Sequence, residues 1–287
     1  MLARINLALI ALCALALFAL GSTSRSLLQA YAKREVLAEA GLMLDSALAI
    51  RTYTATEIRP LLDEQMKSEF RPQSVPSYAA TQNFLKVREQ HADYSYKEAT
   101  LNPTNPRDRA ADWEADIVQK FRNDAATHEV TGERDTPIGR TLYLARPIRA
   151  AAQCLLCHSL PAAAPITLIA RYGSNNGFGW QVDEVVGAQI VSVPLATATA
   201  SADRIFRALM TRLAAALVAV LLATNALLYL FVVRPLRQIG RVADQLSLND
   251  MAAVEFPVGG GHEIASLARS FNRMRKSLEK ALRLLET

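Results

Sequence analysis

An α+β domain held between two membrane-spanning helices, with a coiled-coil bundle after the second, is the architecture the sequence predicts. Three observations carry it: two long apolar runs, a change from helical to strand-like patterning between them, and an unbroken heptad seam near the C-terminus. The 287 residues leave room for two modest domains. A composition 51% hydrophobic and 21% charged excludes general disorder. The formal charge of +5 comes from 32 basic and 27 acidic residues. From Arg234 onward there are nine basic and six acidic residues, while the central segment is close to neutral. A nucleic-acid-binding chain gathers its basic excess in a patch or stripe, so no nucleic-acid partner is expected.

The first run, residues 5–20, is broken only by Asn6 and leaves through Gly21-Ser22-Thr23-Ser24. It is long enough to span a bilayer, and it reads as a transmembrane helix over 1–24 or, alternatively, as a cleaved signal peptide. Beyond it, apolar residues from Leu27 to Ile50 keep a mostly three-and-four spacing, so one helix is expected to continue outward. Gly41 is its weak point before Pro60, and Pro72 and Pro76 then break the chain. Residues 78–88 read as a short helix, and Asp108 as the cap of another through Trp113, Ile117, Val118 and Phe121. Residues 141–148 and 185–193 are β-rich, with a loop over 173–179 between them. The second run, 213–233, is too long and too apolar for a core helix, and it sets a second span over 208–233. Asn225 within it reads as interhelical glue in a dimer rather than as a ligand site.

One motif carries chemistry: Cys154-Leu155-Leu156-Cys157-His158. This spacing lets two thiols add across the two vinyl groups of a haem while the adjacent His reaches the iron. A thioredoxin-like disulfide is disfavoured because the His follows the second Cys without a clear βαβ context. Structural zinc is disfavoured because a second Cys or His pair is missing. The third cysteine, Cys13, lies in the first apolar run. Covalent haem c is therefore the expected cofactor, and its attachment outside the inner membrane agrees with an exported domain.

The residues around the motif add a resemblance. Arg51-Thr52-Tyr53-Thr54, Pro76-Ser77-Tyr78-Ala79-Ala80 and Tyr94-Ser95-Tyr96-Lys97-Glu98-Ala99 open the series. Asn105-Pro106-Arg107-Asp108-Arg109-Ala110, Trp113-Glu114 and Tyr143-Leu144-Ala145-Arg146-Pro147 continue it. Tyr172-Gly173, Asn176-Gly177-Phe178-Gly179-Trp180 and the stretch from Gly187 to Pro194 close it. Together with the haem motif they resemble the PAS-like c-type haem periplasmic sensor family, formerly a domain of unknown function, over nearly all of 25–207. The resemblance implies a PAS-like haem domain sensing redox state or a small ligand. His158 is the proximal ligand on both the motif and the resemblance. Met43, Met66, His91, His128, Tyr53 or water could each supply the sixth ligand, with Met43 on an apolar helix face the one carried forward as a metal ligand. A distal Cys, which the resemblance raises, cannot carry over to Cys13 in the apolar run. Arg51 and Tyr53 are candidate contacts to the haem propionates, with a salt-bridged or buried structural role as the alternative for each.

Arg234-Pro235-Leu236-Arg237-Gln238-Ile239 follows the second run directly, and from there the tail, 234–287, resembles a HAMP relay domain. Ile264, Leu267, Phe271, Met274, Leu278, Ala281 and Leu285 form an a/d seam, and Leu236, Ile239, Ala243 and Leu246 a matching first helix. Met251, Val254, Phe256 and Val258 can pack between them before Gly259-Gly260-Gly261. His262 stands for a common Asp, and Asn249 for a common Gly at the connector bend, where Asn still tolerates αL. A parallel four-helix bundle needs two chains, so a homodimer is expected.

Arginines flank both sides of each apolar run, and the positive-inside rule nearly ties. The haem motif and the HAMP resemblance decide the orientation: a bacterial inner-membrane protein with a periplasmic sensor domain and a cytoplasmic tail. No kinase, cyclase or methyl-accepting module follows, and no phosphate loop or Ser/His/Asp arrangement is visible, so no enzyme is expected. The expected function is a membrane-anchored haem c sensor that relays through HAMP to an output protein in trans. The competing class is a membrane-anchored c-type cytochrome for electron transfer.

Overall fold

A computed structural model describes residues 2–137, 139–247, 255–256 and 262–285. The chain divides into two compact units, one of residues 22–207 and one of residues 1–21 with 208–287. Two helical stretches, Asn6–Ser68 and Leu195–Gln245, are long and apolar enough to cross a membrane.

In chain order the elements of the larger unit are helix α1 (Leu2–Tyr53, entering from the other unit), α2 (Arg59–Ser68), α3 (Pro76–Val87), β1 (Ser95–Thr100) and α4 (Asp112–Asn123). Strands β2 (Val130–Thr136) and β3 (Gly139–Arg149), short α5 (Leu155–His158), α6 (Ile166–Tyr172) and β4 (Val185–Pro194) follow. Helix α7 (Leu195–Leu228) then leads out. Gly41 does not interrupt α1, which stays helical to Tyr53.

The strands form one antiparallel sheet in the order β1-β4-β3-β2. Alternation sends successive residues to opposite faces. Ala145 and Ile190 meet Ile117, Val118 and Phe121 of α4 on one face. Leu144 and Val191 meet Ala40 and Leu44 of α1 and Phe84 of α3 on the other. Phe121 is fully buried, and its truncation to Ala would cost about 3–5 kcal/mol. A register shift after Ile148 leaves Val186 without a partner in β3. Val185 then joins the α4 side while Val186 lines a cavity at the end of the sheet.

Two expectations are corrected here. Helix α4 starts at Asp112, not at a cap on Asp108, because the Glu114 carboxylate accepts the Ala111 N–H at 2.7 Å. Asp108 instead ends a short 3₁₀ turn that Asn105 caps. Strands β1 and β2 are additional to the two expected. Both lie at sheet edges, where polar sequences such as Ser-Tyr-Lys-Glu-Ala-Thr are tolerated.

A π-helical turn, Thr54–Ile58, separates α1 from α2, and another, Tyr229–Val233, separates α7 from α8 (Arg234–Ser247). Each is followed by Arg-Pro: Arg59-Pro60 and Arg234-Pro235. A proline within a helix has no N–H to give, and its ring crowds the carbonyl four residues back. The wider π turn accommodates that misfit, with the Arg59 N–H reaching Thr54 O and the Arg234 N–H reaching Tyr229 O.

In the other unit Asn225 is interhelical within the chain, its side-chain oxygen accepting from Asn6 Nδ2 at 2.8 Å. Helix α8 packs against α9 (His262–Leu285) through Ile239, Phe256 and Ala268, with Phe271 beside them. The Asn272 side chain donates to Phe256 O and accepts from Phe256 N, at 3.1 and 2.9 Å, which holds the connector against α9. Leu236, Leu267 and Met274 stay 43%, 41% and 56% exposed in the single chain. Asn249, Met251, Val254, Val258 and Gly259 to Gly261 lie outside the described residues, as do the side chains of Leu246, His262, Leu278, Ala281 and Leu285.

Candidate functional site

The Cys154–His158 segment begins where β3 leaves the sheet. Ala150 exchanges hydrogen bonds with the loop before β4: its N–H donates to Glu184 O, and its carbonyl accepts from Asp183 N–H. A 3₁₀ turn over Ala152–Cys154 and the single turn of α5 then bring both sulfurs and the imidazole to one cavity of about 320 Å³. That volume lies at the lower end of small-molecule sites. Cys154 and Cys157 are both free thiols. Burial pushes the Cys157 thiol upward, and the Arg59 guanidinium, 3.6 Å from its sulfur, opposes that.

His158 is held on three sides. Its Nδ1 lies 2.7 Å from Gly177 O and 3.4 Å from Thr104 Oγ1. Its ring stacks on Trp180 at 4.0 Å between centroids and 14° between planes. The same loop grips the backbone, with Trp180 N–H on His158 O and Gly179 N–H on Ser159 O. A carbonyl at Nδ1 requires the proton there, which leaves the Nε2 lone pair for a metal. Burial depresses the imidazole pKa, the Gly177 bond pulls it back, and the Arg59 charge lowers it further.

A buried polar network stands on the cavity wall. The Arg51 guanidinium pairs with the buried Glu98 carboxylate. Tyr96 Oη donates to Glu98 at 2.7 Å and accepts from Gln189 at 2.9 Å. Burial lowers the Arg51 pKa, but the Glu98 charge and hydrogen bond, with smaller contributions from Tyr96 and Cys154, together outweigh it and the net shift is upward. Burial and the same carboxylate drive the Tyr96 phenol far above its ordinary range. Asp108, also on the wall, is raised by burial, with Arg107 opposing.

Cys154, Cys157, His158 and Arg51 therefore come together on one cavity. Tyr53 does not: it is 58% exposed, because the helix turns Arg51 and Thr54 inward at that level. Met43 does not either; it packs beside Leu44 and Phe84 on the sheet, as an apolar helix face dictates. His91 and His128 are exposed, whereas Met66 lines the cavity. Arg59, Thr104 and the roles of Gly177 and Trp180 escaped the sequence reading. The loop glycines were visible as a pattern, but nothing in one dimension assigns a carbonyl to an imidazole. Among the described residues no group of three or more His, Cys, Asp or Glu is placed to hold a metal ion.

The fold and site define a mixed helix and antiparallel-sheet domain that presents one imidazole and two thiols to a ligand-sized cavity. The chain belongs to the Tll0287-like family, whose model matches residues 29–194, and a HAMP domain model matches residues 227–280. Among solved structures, the crystal structure of the cyanobacterial heme-protein Tll0287 is similar, at 15% identity and a TM-score of 0.45. It covers 56% of this chain and 95% of that one. No curated protein matches the chain.

Proposed function

We propose that the chain is a membrane-anchored sensor with covalent haem c in a PAS-like domain, which relays the haem state through HAMP to an output protein in trans. The observation that carries the haem reading is the imidazole held at Nδ1 with Nε2 left for iron, beside two thiols on the same cavity. Cys154 and Cys157 would each add sulfur and hydrogen across one vinyl group, so no oxidant or leaving group is needed. His158 would ligate the iron, while its bond to Gly177 O fixes the ring and raises its basicity. Arg51, held in place by Glu98, would face the propionates as a fixed cation. The bound haem supplies an iron centre that changes charge on reduction.

The HAMP match supports a relay, because such domains carry signals between spans and outputs. The exposed Leu236, Leu267 and Met274 support a homodimer, since these seam positions are left incompletely covered within one chain. We read residues 1–24 and 208–233 as inner-membrane spans, 25–207 as periplasmic and 234–287 as cytoplasmic. No catalytic role is proposed. The test is haem retention: full-length protein from a host with c-type maturation should keep its haem after acid-acetone extraction. Replacing both Cys154 and Cys157 with Ala should abolish retention. Complete extraction from correctly exported wild type would refute covalent attachment.

A further inference from the structure

We propose that the Met66 thioether is the second protein ligand of the haem iron, completing its coordination with His158. The inference rests on the haem reading above and deepens it. Of the five side chains that the sequence offers as sixth ligand, only Met66 lines the cavity. Tyr53, His91 and His128 are exposed, and Met43 is committed to the sheet.

The way Met66 is buried points the same way. It is the one buried residue of α2, at 8% exposure, while Leu61 on the same helix is 76% exposed. An ordinary core methionine joins an apolar cluster, but Met66 belongs to neither cluster that packs on the sheet. Its sulfur instead meets Arg71 and Ser74, and Ser74 lines the same cavity. Its main chain is tied to the haem-motif side as well, because Thr167 Oγ1 on α6 donates to Met66 O at 2.7 Å.

The sulfur also keeps capacity for a metal. Arg71 N–H donates to it at 3.0 Å. Ser74 Oγ lies 3.3 Å from the sulfur but only 2.8 Å from Arg71 O. A hydroxyl has one hydrogen, and the shorter contact to a carbonyl, a better acceptor than a thioether, takes it. One lone pair of the sulfur is then engaged and the other remains. The two carboxylates on the wall are occupied: Glu98 by Arg51 and Tyr96, and Asp108 by Arg107. A soft thioether suits haem iron, raises its potential relative to histidine, and fills the position a gas would need. The stimulus is then an electron rather than a small ligand.

The test uses the full-length protein, matured with haem and held in detergent. Haem staining after denaturing electrophoresis comes first, and its absence refutes the underlying haem reading rather than this ligand. With haem present, ferric wild type should show the weak near-infrared band of a methionine–iron bond, and ferrous wild type should resist carbon monoxide. Met66→Leu should lose the band, turn high-spin, bind carbon monoxide and fall in midpoint potential. Met66→His should stay low-spin with a lowered potential, which keeps the test decisive should Met66→Leu fail to fold. Met43→Leu and Tyr78→Phe should match wild type. A wild type without the band, or a Met66→Leu spectrum identical to wild type, overturns the proposal.

Discussion

Gly177 and Gly179 share one backbone dihedral, a φ of +81°, yet only Gly177 is hemmed in. A Cβ on Gly177 would lie 1.9 Å from Thr104 Oγ1 and 2.8 Å from Thr104 N, whereas one on Gly179 meets nothing within 4 Å. Gly179→Ala should therefore cost only its positive φ, about 1 kcal/mol. Gly177→Ala should add an overpacking cost of about 1–3 kcal/mol and displace the carbonyl from His158. Urea unfolding of the two variants measures the difference, and equal losses would contradict the steric account. Asp108 offers the matching test by pH. Its carboxyl is raised by burial, so the folded state binds its proton more tightly than the unfolded chain. Stability from this group is present below the ordinary carboxylate pKa and falls as pH rises through the raised value. Asp108→Asn should remove that fall, seen as a flatter stability curve across weakly acidic pH.

At the scale of elements, α9 carries two different faces. Ala268 is fully buried against α8 and Phe256, so Ala268→Leu should overpack the chain's own pair by about 1–3 kcal/mol. Leu267 is exposed in the single chain, and Leu267→Asp should leave the α8–α9 pair intact while weakening association between chains. Crosslinking across the HAMP segment should drop for Leu267→Asp with the haem spectrum unchanged. Undiminished crosslinking would place the dimer seam elsewhere. The two π turns show a related economy of sequence. Each lets a helix pass an Arg-Pro step, and at the first the arginine reaches the Cys157 sulfur.

For the whole molecule the question is whether the haem state reaches the tail. Single cysteines along α9 should crosslink with a seven-residue periodicity, and the pattern should shift on haem reduction. Couplings of this kind are about 1–3 kcal/mol, enough for a several-fold change in population. A periodic pattern that ignores the haem would keep the dimer but make an anchored electron carrier the better reading. The orientation is checked separately, by a reporter active only outside the cytoplasm. It should work when fused after Asp183 and stay silent when fused after Thr287.

Some of this was legible in one dimension because it depends on local spacing. Cys154, Cys157 and His158 lie within five residues, and the central strands β3 and β4 announce themselves by apolar content. The apolar runs and the 3-4 seam are likewise periodic features of the chain alone. The edge strands β1 and β2 were not legible, since a strand paired on one side only can be polar. Nor was the choice between Met43 and Met66: both are methionines on helices, and only tertiary packing sends one to the sheet and the other to the cavity. The carbonyl that orients His158 comes from Gly177, 19 residues away, and the carboxylate that holds Arg51 comes from Glu98, 47 residues away. The sequence determined which groups could act on a haem. Folding decided which of them meet, because long-range contacts are set by packing and not by spacing along the chain.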